Sequence, residues 1–270
     1  MNDILKTVNF RVGLIFVLLI AGATLCAGFI ASDSPDTLFN PAQTKLSAPS
    51  SRHWFGTDQF GRDVFSRVLH GGRISLGIAF AVVTLSLLIG VGYGVVSGYI
   101  GGILDNILMR LLDVFLAFPV IFIAVTTMAL FGTSLLWLIF VLILTSWMDV
   151  ARLVRAETHS LKNQHFIVKA KLAGLWPLRI VFWHVLPNLL TTIVTVAVIR
   201  VADIILIESA LSFLGLGVQP PLASWGSIIS DGRANLPFAW WLIIFPGLAL
   251  LLTIVGLYLT GEGLKSFKGV

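Results

Sequence analysis

Residues 74–97 read ISLGIAFAVVTLSLLIGVGYGVVS, an apolar run without one charged side chain. As a helix rising about 1.5 Å per residue this run is about 36 Å long, whereas the hydrocarbon core of a bilayer is about 30 Å thick. The run therefore predicts a membrane-spanning helix. Gly90, Gly92, Gly94 and Gly98 punctuate its end. They predict close packing on a second helix, because small residues let helix backbones approach each other in lipid.

The rest of the chain repeats this pattern. Of 270 residues, 57% are hydrophobic and 11% are charged, and the mean hydropathy is +0.97. Soluble domains have about 45–50% apolar residues, so we predict an all-α membrane protein. Pro119 and Pro246 are expected to kink two of its helices. The six predicted transmembrane helices lie at residues 12–30, 74–97, 107–131, 134–148, 188–212 and 239–260.

Basic residues near the ends of the spans predict the orientation, because Lys and Arg are retained on the cytoplasmic side. The loop at 157–187 and its flanks are strongly basic, whereas the loop at 213–238 carries a single arginine. We therefore expect loop 157–187 and both termini in the cytoplasm, with loops 31–73 and 213–238 outside. The basic residues of loop 31–73 are an exception to this rule, because the loop that carries them is expected outside. Residues 1–11 are then a cytoplasmic N-terminus, and residues 12–268 form one membrane domain.

Several classes of protein are disfavoured by the residues themselves. The formal charge of +5 lies in loops between apolar spans, where it orients the chain, so we expect no nucleic-acid partner. Cys26 is the single cysteine, so a disulfide framework or a cysteine metal site cannot form. The sequence has no phosphate loop, no His-Glu-x-x-His helix and no Gly-x-Ser-x-Gly elbow. We expect neither an enzyme nor a bound metal.

Loop 157–187 carries the clearest local pattern. Residues 164–173 predict a short amphipathic helix, Gly174 fits its C-terminal stop, and Pro177 fits the first turn of a second helix. The expected structure is a helix, a bend and a helix. The alternative is a loop that only lies on the anionic membrane surface. A surface loop, however, has no need of a glycine bend followed by Pro177 and His184.

Two stretches of this loop carry a family resemblance. FIVKAKLAG at 166–174 and HVLPN at 184–188 resemble the EAA loop of permease subunits in ATP-binding-cassette (ABC) importers. In that family the short helix of the loop docks into a cleft of the ATP-binding subunit. Val168 stands where the family has glutamate, so the resemblance implies docking through shape and apolar contact. The residues that it implies for coupling to the ATPase are Phe166, Ile167, Val168, Ala170, Gly174 and His184.

Two further segments resemble the dipeptide, oligopeptide and nickel branch of these permeases. WFGTDQFGRDVFSR at 54–67 is followed by GRISL, and ESALSFLGLGVQPP at 208–221 is followed by SWG. From the residues alone, the first segment predicts a turn and a capped interfacial helix at 62–73. The second predicts a rigid end to the fifth span, with Trp225 as an anchor at the membrane interface.

The resemblance implies a permease that forms half of a translocation path in the bacterial inner membrane and binds no cofactor itself. The implied partners are two ATP-binding subunits holding ATP and Mg²⁺, a second and usually different permease chain, a substrate-binding protein and membrane lipid. Peptides, nickel and metal chelates remain open as substrates, and the missing glutamate and short C-terminal tail slightly favour the metals. A secondary transporter or other membrane channel component is the alternative. It would need an internal repeat with broken helices, and the sequence shows none.

Ionisable residues inside the spans are costly and are candidates for function. Arg110 with Asp113, and Arg200 with Asp203, have the i,i+3 spacing of structural ion pairs on one helix. Glu208 lies near the outer end of its predicted span, where we expect water to reach it.

Overall fold

A computed structural model describes residues 2–31, 34–35, 37 and 44–266. These residues fold into helices joined by turns and short loops, and no strand occurs among them. The helices are α1 (Asn2–Leu25), α2 (Ala27–Ile30), α3 (Val64–Ile100), α4 (Gly102–Leu116), α5 (Val120–Phe131), α6 (Leu135–Lys162), α7 (His165–Leu172), α8 (Pro177–Ile180), a π-helical turn (Val181–Val185), α9 (Leu186–Phe213), α10 (Trp225–Arg233) and α11 (Trp241–Ser266).

Six membrane spans follow from these helices when the bent pair α4–α5 is counted as one span. The other five spans are α1, α3, α6, the continuous segment Pro177–Phe213, and α11. Each is long and apolar enough to cross a bilayer. The predicted all-α fold of six transmembrane helices is confirmed.

The third span is broken, whereas the sequence predicted only a kink. α4 and α5 meet at an angle of 71°, and Pro119 lies at the N-cap of α5. Proline has no N–H to continue a helix and disfavours helical backbone at the preceding residue, here Phe118. Pro246 instead lies inside the continuous helix α11.

Glycines bring α3 and α6 into close contact, as the sequence predicted. A Cβ atom added at Gly94 would lie 2.5 Å from the carbonyl oxygen of Ala151, and Gly90 and Gly98 are equally close to α6. Gly92 differs, because a Cβ atom there would meet nothing within 4 Å. Three of the four glycines therefore set the distance between the two helices.

We expect Gly94→Ala to lower the melting temperature of the detergent-solubilised protein, because its methyl group would overlap the α6 backbone. Overpacking of this kind costs about 1–3 kcal/mol. Gly92→Ala is the matched control, since it adds the same methyl group in open space and favours helix by about 0.5–1 kcal/mol. The melting temperatures are compared by tryptophan fluorescence. Equal melting of the two variants would contradict a packing role for Gly94.

The predicted outer loop 31–73 is shorter in the structure, and the separate interfacial helix at 62–73 was wrong. α3 begins at Val64 and runs unbroken to Ile100. Asp63 caps it, accepting a hydrogen bond from the Ser66 backbone N–H at 2.8 Å. Because no proline interrupts residues 64–100, one long helix replaces the two that were expected. Residues 32–33, 36 and 38–43 of the predicted loop lie outside the described residues.

A buried carboxylate organises the segment before α3. Asp58 accepts hydrogen bonds from the backbone N–H groups of Phe60 and Arg62, at 2.8 and 2.9 Å. It also pairs with the Arg62 and Arg67 guanidinium groups, each at 2.6 Å. Arg67 reaches Asp231 of α10 at 3.3 Å. Burial raises the pKa of Asp231, and the positive charge of Arg62 opposes this rise. The network joins this segment to α10.

α10 is held against the bundle by side chains that were expected to meet water or the membrane interface. Trp225 is fully buried, and its Nε1 donates to the Val68 carbonyl oxygen at 2.9 Å. Glu208 is also fully buried and accepts hydrogen bonds from the Ser212 and Ser75 hydroxyls, at 2.6 and 3.3 Å. Both expectations were wrong, because α10 folds back over these residues.

Candidate functional site

The loop between the fourth and fifth spans is a helix, a bend and a helix, as the sequence predicted. α7 ends at Leu172, and Gly174 follows with φ +75°, a left-handed conformation that favours glycine. Pro177 begins α8. The loop is shorter than the predicted 157–187, because α6 continues to Lys162 and the next span begins at Pro177.

α7 has one side against the bundle and one side facing away from it. Ile167 is fully buried and Ala170 is 7% exposed, within an apolar cluster formed by residues of α3, α6, α8, the π-helical turn and α9. Phe166, Val168 and Leu172 point outward, with exposed fractions of 40%, 41% and 83%. Of the candidate coupling residues in α7, Ile167 and Ala170 therefore face the bundle and Phe166 and Val168 are exposed, a division that the sequence did not predict.

His184 and Pro187 lie in the first turns of the fifth span, after its start at Pro177. The backbone widens there into a π-helical turn, with the Leu186 N–H bonded to the Val181 carbonyl oxygen. A normal helical hydrogen bond cannot form from Pro187, which has no N–H. The Asn188 side chain donates to the His184 carbonyl oxygen at 2.6 Å. The HVLPN segment thus lies at a π-helical turn inside the fifth span, not in the loop before it.

Two lysines of this loop region lie beside Tyr99, near the end of α3. The Lys171 ammonium lies 5.4 Å from the centre of the Tyr99 ring, and the Lys162 ammonium lies 6.0 Å from it. Burial lowers the pKa of Lys171, and the neighbouring positive charge of Lys162 lowers it further. Lys171 makes no ion pair with a carboxylate of the described residues.

Charged residues inside the spans form a second candidate site. Arg200 pairs with Asp203 at 3.6 Å, as predicted, but lies closer to Asp149 of α6, at 2.9 Å. Asp149 was missed because it follows directly after the predicted span 134–148, although α6 continues beyond it.

The predicted pair of Arg110 with Asp113 was wrong. Asp113 pairs with Arg152 of α6 at 2.5 Å. The predicted pair rested on the i,i+3 spacing within a single helix. In the structure α6 packs beside α4 and supplies the arginine that pairs with Asp113.

Comparisons with known proteins agree with this architecture. Residues 90–264 match the family model described as binding-protein-dependent transport system inner membrane component. The chain is 40% identical to the dipeptide transport system permease protein DppC of Alkalihalophilus pseudofirmus over 84% of this chain and 74% of that protein. It is 42% identical to the oligopeptide transport system permease protein OppC of Haemophilus influenzae, over 79% and 68%.

A solved structure shows the same fold. The MetNI methionine ABC transporter, in an inward-facing conformation, matches with a TM-score of 0.56 and 19% sequence identity, over 72% of this chain and 94% of that chain.

The six spans, the family match and the named relatives together identify the class of protein. The chain is the membrane-embedded permease subunit of an ABC importer. The chain belongs to the family of binding-protein-dependent transport system inner membrane components. It is therefore a multi-pass inner membrane protein that works with ATPase and substrate-binding partners and is not itself an enzyme. The resemblance found in the sequence is confirmed.

Proposed function

We propose that this permease imports peptides and couples their movement to two ATP-binding subunits through α7. The names of its relatives, dipeptide and oligopeptide permeases, support peptides over the metals that the missing glutamate favoured. A second, different permease chain completes the path, and a binding protein delivers the substrate. ATP and Mg²⁺ remain on the ATP-binding subunits, and this chain binds no cofactor.

The observation that carries the coupling proposal is the division of α7 into two sides. Val168 and Leu172, one turn apart on α7, form an exposed apolar surface that we expect to dock into a cleft of an ATP-binding subunit. Phe166, one turn before Ala170, is exposed at the edge of the inner side. Ile167 and Ala170, on the opposite side, are packed into the bundle. A force on the outer side is therefore transmitted to the spans through buried contacts.

The inner contacts connect α7 to the helices that must move. The cluster around Ile167 includes Val95 of α3, Val154 of α6 and Val185 of the π-helical turn. When ATP closes the two ATP-binding subunits, they pull the docked α7 helices together. Close-packed contacts transmit this displacement, because packed interiors have low compressibility. The spans then change the side of the membrane on which the path opens.

The proposal requires the loop and both termini to face the cytoplasm, where ATP is available. Asn163, at the end of α6, is exposed. In a background in which Cys26 is replaced by serine, we expect Asn163→Cys to react with an impermeant thiol reagent in inside-out vesicles and not in intact cells. The basic loop predicts this orientation. Reaction in intact cells would place the loop outside and overturn the coupling proposal.

A further inference from the structure

A groove with a volume of about 540 Å³ opens on the side of the bundle, between α6 and α9. Asp149 and Arg152 of α6 line one wall, and Arg200 and Asp203 of α9 line the other. Lys265 of α11 also lines the groove, and the uncharged lining residues include Leu153 and Val196. The groove is therefore bordered by charges of both signs.

Asp149 and Arg200 each follow an apolar stretch of their own helix. Arg200 follows 14 uncharged residues of α9 (186–199), and Asp149 follows 14 uncharged residues of α6 (135–148). The two helices enter from opposite membrane faces, because the loop joins the end of α6 to the beginning of α9. At about 1.5 Å per residue, Asp149 is about 20 Å along α6 from Leu135, and Arg200 is about 20 Å along α9 from Leu186. The pair therefore lies within the membrane-spanning segments Leu135–Lys162 and Pro177–Phe213.

The charged side chains of the groove are partly exposed on the lateral surface of this chain. The side chains of Arg200 and Asp203 are 27% and 28% exposed, and those of Asp149 and Arg152 are 44% and 55% exposed. The structural ion pair of Asp58 is far more buried, since the Asp58 side chain is 3% exposed. Ionisable groups at membrane depth face a water-filled cavity or other protein, because lipid cannot solvate them. This side of the bundle therefore does not face lipid.

We propose that this groove is the chain's part of the translocation path and that it binds the charged ends of a zwitterionic substrate. The inference rests on the proposed import of peptides. Arg200 has five N–H donors, of which Asp149 and Asp203 do not use all, so a carboxylate can bind there. The exposed carboxylate of Asp149 can accept the ammonium group at the other end. A peptide with free termini carries both groups.

Tyr258 of α11 supports a fixed arrangement of these groups. Its hydroxyl donates to Asp203 at 2.5 Å, and the guanidinium of Arg200 lies closer to Asp149 than to Asp203. The groove thus presents a positive and a negative group to one ligand. A site of this kind recognises the two termini of a short peptide and tolerates different side chains between them.

Water access is tested by thiol labelling in the assembled transporter, in the background lacking Cys26. Leu153→Cys and Val196→Cys lie in the groove, and Leu88→Cys is the control. Leu88 is 68% exposed on α3, at a depth of about 18 Å from the end of that helix. We expect the groove thiols to react with an impermeant charged reagent at least about tenfold faster, because apolar surroundings raise a thiol's pKa.

Substrate binding is tested by removing Asp149, Arg200 and Asp203, which pair with one another, in a single variant with Asp149→Asn, Arg200→Gln and Asp203→Asn. No ion of the cluster is left unpaired, so we expect normal assembly and normal co-purification of the ATP-binding subunits. The KM for uptake of a dipeptide with free termini should rise about tenfold or more, because charge-assisted hydrogen bonds are lost. Uptake of the same dipeptide with both termini blocked is the control and should change little.

Two results would overturn the inference. Groove thiols that react no faster than Leu88→Cys would mean that a second permease covers the groove. Normal KM in the triple variant would make the cluster purely structural. Neither result affects the coupling proposal, because that proposal is tested separately, by substitutions in α7 and co-purification of the ATP-binding subunits.

Discussion

Leu172→Asp should abolish peptide uptake and release the ATP-binding subunits, while the six spans remain folded in the membrane. Leu172 is 83% exposed, so the isolated chain tolerates a carboxylate at this position. In the docked complex the same carboxylate would be buried without a partner. Burying even a neutral polar group without a hydrogen bond costs roughly 2–7 kcal/mol, and an unpaired charge costs more. Each 1.4 kcal/mol corresponds to about a tenfold loss of affinity, so the complex should not survive purification.

The measurements are co-purification of the ATP-binding subunits and substrate-stimulated ATP hydrolysis in reconstituted vesicles. Val168→Ala is the matched control on the same exposed side: it removes only part of an apolar contact, and we expect a mild loss. Ala170→Arg would be a poorer test than Leu172→Asp, because Ala170 is buried in this chain's own cluster. Arginine there would damage the loop itself. Full uptake by Leu172→Asp would show that α7 only lies on the membrane surface.

Asp58→Ala should have the largest effect on folding among single substitutions outside the spans. Its carboxylate is buried and binds Arg62, Arg67 and two backbone N–H groups. Removing one partner of a buried ion pair costs about 3–5 kcal/mol, because the other charge remains buried and uncompensated. Folded proteins are stable by only about 5–15 kcal/mol. We therefore expect little of the variant to accumulate in the membrane.

Asp231→Asn is the matched control for Asp58→Ala. Asp231 contacts the same Arg67, but at 3.3 Å and with a side chain that is 35% exposed. A partly exposed pair contributes about 1 kcal/mol or less, so this variant should accumulate and melt almost normally. The amounts are compared by immunoblotting of membranes, and the stabilities by thermal unfolding in detergent. Similar losses from both substitutions would contradict the central place of Asp58 in the network.

The sequence by itself determined the features that depend on neighbouring residues in the chain. Uninterrupted apolar runs predicted the six spans, because crossing a bilayer requires a minimum length of uncharged helix. Gly174 and Pro177 predicted the bend between α7 and α8, because their backbone preferences are local. A capped helix start was expected within residues 62–73, and Asp63 caps α3 there.

The tertiary structure alone decided which distant residues meet. Asp113 was assigned to Arg110 on its own helix and pairs instead with Arg152. Ile167 and Ala170 were grouped with Phe166 on one docking surface, although they face the bundle. Helical spacing shows which residues share a face, but the direction of that face depends on how the helices cross. That geometry is fixed by packing of the whole bundle, in which Gly90, Gly94 and Gly98 bring α3 against α6.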